Sequence, residues 1–264
     1  MKAKALVKWP GGKDRLVPVL LEHMPTSWGR YYEPFMGGAA LYRALHSQKR
    51  LSRERALLGD LNETLVAAYW WVANEPAIIA GEMKVLARAD YYHLREQFNA
   101  ARSQQPVSAF TVSAFLVLNR RCFNGLYREN KNGEFNVPEG TYKTITYPDP
   151  FEQQATWQGA IIQHRGYQDL TASAGGGDFV YFDPPYLGTF SQYRGAGFGI
   201  EQHVELAKTV RDLDRRGVLW MLSNSDTPET RELYKGFRID TVSAPMSISR
   251  GARKPRTELL VRNY

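Results

Sequence analysis

Two kinds of apolar pattern alternate along the 264 residues. Short β-rich runs bounded by glycine, proline or acidic residues read as buried strands: Tyr31-Tyr32-Glu33, Ala56-Leu57-Leu58-Gly59-Asp60, Ala160 to His164, Phe179-Val180-Tyr181-Phe182, Val218 to Leu222, Phe237 to Val242 and Glu258 to Val261. Between them lie stretches with helical spacing. Leu16, Val19, Leu20 and His23 share a face within Asp14 to Met24, a second helix spans Leu41 to Gln48, and a third, Glu201 to Arg216, presents Val204, Leu206, Ala207, Val210 and Leu213 before the αL cap Gly217. Pro228 to Tyr234 is a fourth. Strands alternating with helices predict an α/β chain.

That alternation lapses once. From Glu63 to Cys122 the pattern is helical almost throughout, over Leu65 to Trp71, Pro76 to Ala87, Tyr91 to Arg102 and Ser108 to Leu118, and this predicts an inserted helical subdomain. Trp70 and Trp71 fall at helical spacing and are expected in its core. Asn132-Gly133, between Leu126-Tyr127 and Phe135-Asn136-Val137, then predicts a tight hairpin, and Ser223-Asn224-Ser225-Asp226 a turn after the strand at Val218.

Composition narrows the class. Hydrophobic residues make up 43% and charged residues 23%, which excludes disordered and collagen-like chains. No apolar run reaches the roughly 18 residues of a membrane span, and Met1 to Leu6 has no signal-peptide core, so a cytoplasmic protein is expected. The single cysteine, Cys122, forms no internal disulfide and builds no zinc site alone; it reads as a structural thiol. A net charge of +7 suits a phosphate-bearing partner without requiring one.

The chemistry concentrates at Asp183-Pro184-Pro185-Tyr186. Two prolines after a strand end its pairing, so a carboxylate, two carbonyls and an aromatic ring are held rigidly where open α/β sheets bind ligands. Taken alone, the tetrapeptide is equally a solvent-facing loop. Upstream, Phe35-Met36-Gly37-Gly38 between a strand and a helix, with Asp60 ending the next strand, has the arrangement that cradles a nucleoside-containing cofactor. Lys8-Trp9-Pro10-Gly11-Gly12-Lys13 could set amides and an ammonium against an anion, although it is no Walker loop, and could also be a plain turn. Arg, Asn, Phe and Tyr interleave from Asn119 to Pro138, as in segments that read base edges, or as in a hairpin packed on helices. Arg250, Arg253, Lys254 and Arg256 form either a phosphate clamp or a solvated charge run.

In this order the segments at Lys8, Glu33, Asp60, Asn124 to Pro138 and Asp183 resemble the Dam-type DNA adenine methyltransferases, over nearly the whole chain. The resemblance implies a seven-stranded, Rossmann-like methyltransferase sheet: residues 1–62 and 145–264 form the catalytic domain, and residues 63–144 an inserted, mainly helical target-recognition domain with a β-hairpin. It implies S-adenosyl-L-methionine over Phe35 to Gly38 (Gly37 included), Trp9 and Lys13 at its methionine end, Asp60 on its ribose, Tyr167 near its adenine and Asp183 facing both cofactor and substrate amine. Asp183, Pro184 and Tyr186 would be catalytic, without a metal. Double-stranded DNA would be the partner of a monomer that reads GATC or a related site. Lys8 and Arg128 would contact guanines, Phe123 and Asn124 fill the stack, and Leu126, Pro138 and Tyr142 complete the readout. Ala39 departs from the glycine many relatives carry, and Glu139 is a poor neighbour for phosphate.

Other readings compete. Cytosine amines, RNA adenine and protein glutamine are methylated at similar sites. A nicotinamide oxidoreductase shares the glycine turn but leaves Asp183 to Tyr186 unexplained, and a non-enzymatic DNA-binding module accounts only for the charge and the hairpin.

Overall fold

The computed structural model describes residues 4–187, 198–243 and 257–264. The loop after Leu187 and the basic run with Arg250, Arg253 and Lys254 lie outside the described residues.

In chain order the elements are α1 (Val17–His23), β1 (Tyr31–Glu33), α2 (Ala40–Ser47), β2 (Ala56–Asp60), α3 (Glu63–Asn74), α4 (Pro76–Leu86), α5 (Tyr91–Ala101), α6 (Ala109–Arg121), α7 (Pro150–Trp157), β3 (Ile161–His164), α8 (Tyr167–Thr171), β4 (Phe179–Phe182), α9 (Ile200–Arg215), β5 (Leu219–Ser225), α10 (Pro228–Leu233), β6 (Arg238–Ser243) and β7 (Thr257–Arg262). The strands form one seven-stranded sheet, ordered β3-β2-β1-β4-β5-β7-β6. β1 to β5 run parallel, and β7 is antiparallel to both neighbours. The Rossmann-like architecture is therefore present.

Burial explains the strand sequences. All four residues of β4 are buried, which is why Phe179 to Phe182 reads as a continuous apolar run. At the edge, β3 is partly exposed and mixes Ile with Gln and His. The order of connection reverses between β1 and β4, so the carboxyl ends of those strands open a crevice. Glu33 ends β1, Asp60 ends β2, and Asp183 follows β4 directly.

The helical region contains α3 to α6. In α6 every residue from Thr111 to Asn119 is buried, as in a central helix apolar on all sides. It packs on α3, α4 and α5, while α3 also lies against β2, β3 and α7. One buried cluster runs from the sheet into these helices.

Several expectations need correcting. Trp70 is 49% exposed rather than core, whereas Trp71 is partly buried with its indole N–H donated to the Val107 carbonyl. β5 runs on through Ser223, Asn224 and Ser225, which pair with Leu260, Leu259 and Glu258 of β7, so the turn expected there is strand. The loop around Asn132-Gly133 does reverse the chain, with Gly133 at φ 77°, yet its pairing is limited to the bridge Glu129–Phe135 and flanking backbone bonds. Helix α7 was not anticipated; Asp149 caps it and Pro150 opens it.

Candidate active site

A cleft of ≈ 1550 Å³ opens at the carboxyl ends of β1, β2 and β4. Lys8, Trp9, Lys13, Phe35, Gly37, Asp60, Asn124, Tyr167, Asp183, Pro184 and Tyr186 all line it. Single-ligand pockets usually hold about 300–1,000 Å³, so this one has room for two molecules side by side.

The floor is the glycine turn after β1. Gly37 has φ 42°, its N–H donates to Asp60 Oδ2 (3.0 Å), and its carbonyl accepts from the Tyr69 hydroxyl (2.8 Å). A Cβ there would lie 2.7 Å from Trp9 Cδ1. Ala39, where glycine was expected, sits at φ 46° and ψ 49°, the left-handed region that an alanine occupies under strain. Asp60 Oδ1 accepts the Asn62 N–H (2.9 Å), and burial raises this carboxyl's pKa against the amides that favour its charged form. On one wall Tyr167, at the start of α8, stacks on Phe35 at 5.4 Å, with Phe198 edge-on to Phe35 at 5.6 Å.

The opposite wall carries the motif after β4. Lys13 Nζ lies 2.8 Å from Asp183 Oδ1 and 4.6 Å from the centroid of the Tyr186 ring, and it also donates to the Gly11 carbonyl. Burial lifts the Asp183 pKa to about 6, against the opposing pull of the Lys13 ammonium. Tyr186 donates its hydroxyl to Glu258 Oε2 (2.6 Å).

At the mouth, Asn119 clamps Lys8 by both backbone groups at 2.8 Å, and the Lys8 ammonium stands 4.7 Å from the Tyr142 ring centroid. Trp9 stacks on Tyr127 at 5.2 Å. Phe123, Asn124, Leu126, Arg128 and Pro138 are exposed while Tyr127, Glu129, Phe135 and Val137 are buried, so the two arms of this loop show one face to solvent. Arg128 Nε donates to Asn136 Oδ1 (2.8 Å). Of these exposed residues, Phe123, Leu126, Arg128 and Pro138 lie outside the cleft lining, as does Tyr142. Glu139, feared as a neighbour of phosphate, is paired with Arg121.

A family profile described as D12 class N6 adenine-specific DNA methyltransferase matches residues 9–248. The chain belongs to that family. Among its relatives, a DNA adenine methylase of Vibrio cholerae is 34% identical over 280 residues, covering 98% of this chain and 95% of the relative. Type II methyltransferase M.MjaIII of Methanocaldococcus jannaschii is 32% identical over all of both chains. Type II methyltransferase M1.LlaDCHI of Lactococcus lactis is 31% identical, over 99% of this chain and 95% of its own. This adenine-specific DNA methyltransferase contains no helix long and apolar enough to cross a membrane, and no cluster of metal-binding side chains, among its described residues.

Sequence reasoning missed two carboxyls of the cleft. Glu33 was noticed only as part of a motif. It is 2% exposed, accepts the Tyr31 hydroxyl (2.7 Å) and the Tyr42 N–H (3.2 Å), and burial raises its pKa to about 8. Glu258 was read only as strand, and no local signal links it to Tyr186.

Proposed function

We propose that this methyltransferase moves a methyl group from S-adenosyl-L-methionine to the exocyclic amine of an adenine turned out of double-stranded DNA, with Asp183, Pro184 and Tyr186 holding the base. The observation that carries this reading is the Lys13 ammonium. A nitrogen rich in N–H groups lies beside the Asp183 carboxylate and over the Tyr186 ring. An adenine would present the same chemistry there, its amine to Asp183 and its ring to Tyr186, once Lys13 withdraws.

The remaining cleft residues suit the cofactor. Both Asp60 oxygens accept backbone N–H groups, and a carboxylate has acceptor sites to spare for a ribose hydroxyl. Phe35, Tyr167 and Phe198 give an apolar wall for a purine, which would lie against that wall, because Phe35 and Tyr167 at 5.4 Å leave no gap between them. Gly37 and Trp9, with Lys13 nearby, bound the methionine end. When bound, S-adenosyl-L-methionine supplies a methyl group activated by its sulfonium.

An adenine amine is a poor nucleophile, because its lone pair is delocalised into the ring. Asp183 and the Pro184 carbonyl would accept its two hydrogens, favouring the tetrahedral, positively charged nitrogen over the planar ground state. With Lys13 in place the Asp183 pKa is about 6, so the carboxyl is ionised at neutral pH; withdrawal of the ammonium would raise that pKa and make Asp183 a better acceptor for the proton the nitrogen sheds. Turning the base out costs roughly a few kcal/mol of stacking and pairing. Residues 63–144, together with Lys8, would read the site: Lys8 and Arg128 on guanines, Phe123 and Asn124 in the vacated stack, Leu126, Pro138 and Tyr142 beside them, with GATC the sequence we propose. Arg250, Arg253 and Lys254 would hold phosphates, and the enzyme would act as a monomer.

Labelled methyl transfer to duplex DNA, RNA and protein tests the substrate. Asp183→Ala is expected to abolish transfer and keep DNA binding; full activity in that variant overturns the mechanism. Sequencing methylated DNA from a host that lacks the modification tests the site.

A further inference from the structure

A buried polar cluster stands behind Tyr186, outside the cleft lining but packed against it. Asn224 of β5 and His203 of α9 are both 0% exposed. Asn224 Oδ1 accepts the Leu187 N–H (3.3 Å) and the Ser225 N–H (2.8 Å), and Ser225 Oγ donates to the Leu187 carbonyl (2.8 Å). Both backbone groups of the residue after Tyr186 are therefore pinned to the end of β5. Asn224 Nδ2 meets His203 Nδ1 at 3.3 Å. Because the amide oxygen is committed to two backbone donors, Nδ2 must donate, and Nδ1 must accept. That requires a neutral imidazole with its proton on Nε2, in keeping with burial that lowers the His203 pKa to about 4. The Pro185 carbonyl faces the same ring and favours a ring N–H, while Phe198 packs edge-on against it at 4.8 Å.

We propose that His203, Asn224 and Ser225 are positioning residues for methyl transfer: by holding both backbone groups of Leu187, with the His203 ring set against the Pro185 carbonyl, they fix the stance of Tyr186 against the target adenine. This rests on the reading that Tyr186 contacts the base. The tautomer of His203 sets the orientation of the Asn224 amide, and the amide holds the backbone. If Nδ1 carried a proton, the amide would have to reverse, turning its NH₂ toward the Leu187 and Ser225 N–H groups and losing both bonds.

The test is single-turnover transfer of labelled methyl groups from saturating S-adenosyl-L-methionine to saturating genomic DNA of a host lacking adenine methylation. His203→Phe keeps the ring and removes the acceptor. Its rate is expected to fall about tenfold or more, since small misplacements of catalytic groups are costly, with KM for DNA and cofactor little changed. His203→Asn restores an acceptor near the Nδ1 position and should recover most of the rate. Asn224→Asp places a second acceptor against Nδ1, so the His203 pKa should rise in an NMR titration. A wild-type rate in His203→Phe, equal losses in the Phe and Asn variants, or a loss confined to KM would each overturn the proposal. Should His203→Phe fail to fold, Ser225→Ala removes one bond to Leu187, and an unchanged rate there would overturn it as well. Tyr186→Ala separates the two levels: full activity in that variant sinks the reading underneath, whereas a slow Tyr186→Ala beside a fully active His203→Phe sinks the positioning role alone.

Discussion

Gly37→Ala tests whether the glycine turn is shaped by its neighbours. At φ 42° an alanine would sit in the left-handed region, at about 1–2 kcal/mol. Its Cβ would also lie 2.7 Å from Trp9 Cδ1, too close unless the indole moves. The turn itself cannot yield easily, because the Gly37 N–H is bonded to Asp60 and its carbonyl to Tyr69. Moving Trp9 would disturb its stack on Tyr127, worth about 0.5–1.5 kcal/mol. Against these stands a gain of about 0.4–1 kcal/mol from the stiffer unfolded chain. The net expectation is a loss of about 1–3 kcal/mol in denaturant unfolding, together with weaker cofactor binding by calorimetry. A variant with wild-type stability and wild-type cofactor affinity would refute this account of the turn.

Three further outcomes are expected. Lys13→Met removes the cation that opposes the rise of the Asp183 pKa, so the acid limb of the pH–rate profile should move to higher pH; an unmoved limb would show that Lys13 and Asp183 are not paired in solution. Glu33 has a folded-state pKa of about 8, above the ordinary carboxylate value, so between these the folded state binds the extra proton and stability falls as pH rises, by up to about 1.4 kcal/mol per unit. Glu33→Gln should remove that slope, so its stability relative to wild type should improve from pH 5 to pH 8, and parallel unfolding curves would contradict the burial argument. Arg128→Ala should relax sequence choice by about 1–3 kcal/mol at one position, measured on defined duplexes, with cofactor binding intact.

Where a local rule decided the structure, the sequence was readable. Ala56 to Asp60 and Phe179 to Phe182 match β2 and β4 residue for residue, because an acidic residue or a proline pair ends each run. The strand-end carboxylates Asp60 and Asp183 were visible for the same reason. Ser223 to Ser225 misled because their polarity mimics a turn; in the fold Ser223 Oγ meets the Tyr181 hydroxyl at 2.9 Å and Asn224 holds Leu187, partners far away in sequence. Trp70 misled in the opposite direction, since helical spacing does not say which part of a helix is covered. The ion pair between Lys13 and Asp183 joins residues 170 positions apart and had no local signature.

The three carboxyls at the strand ends show how one crevice can assign separate tasks to similar groups. Glu33, Asp60 and Asp183 end or follow β1, β2 and β4, which lie side by side in the order β2-β1-β4. Burial disfavours the charge on all three, and each also feels different company. Asp60 has backbone amides, which suit it to remain an acceptor; Asp183 has an ammonium, which keeps it ionised near neutral pH; Glu33 has only a phenol and one amide among its hydrogen bonds, and its charge is opposed by Asp183. A neutral Glu33 therefore spares Asp183 a second negative neighbour beside Glu258. An ionised Glu33 would raise the Asp183 pKa further and divide the attraction for an incoming amine between two sites, so the burial of Glu33 supports, from a distance, the carboxylate we propose to hold that amine.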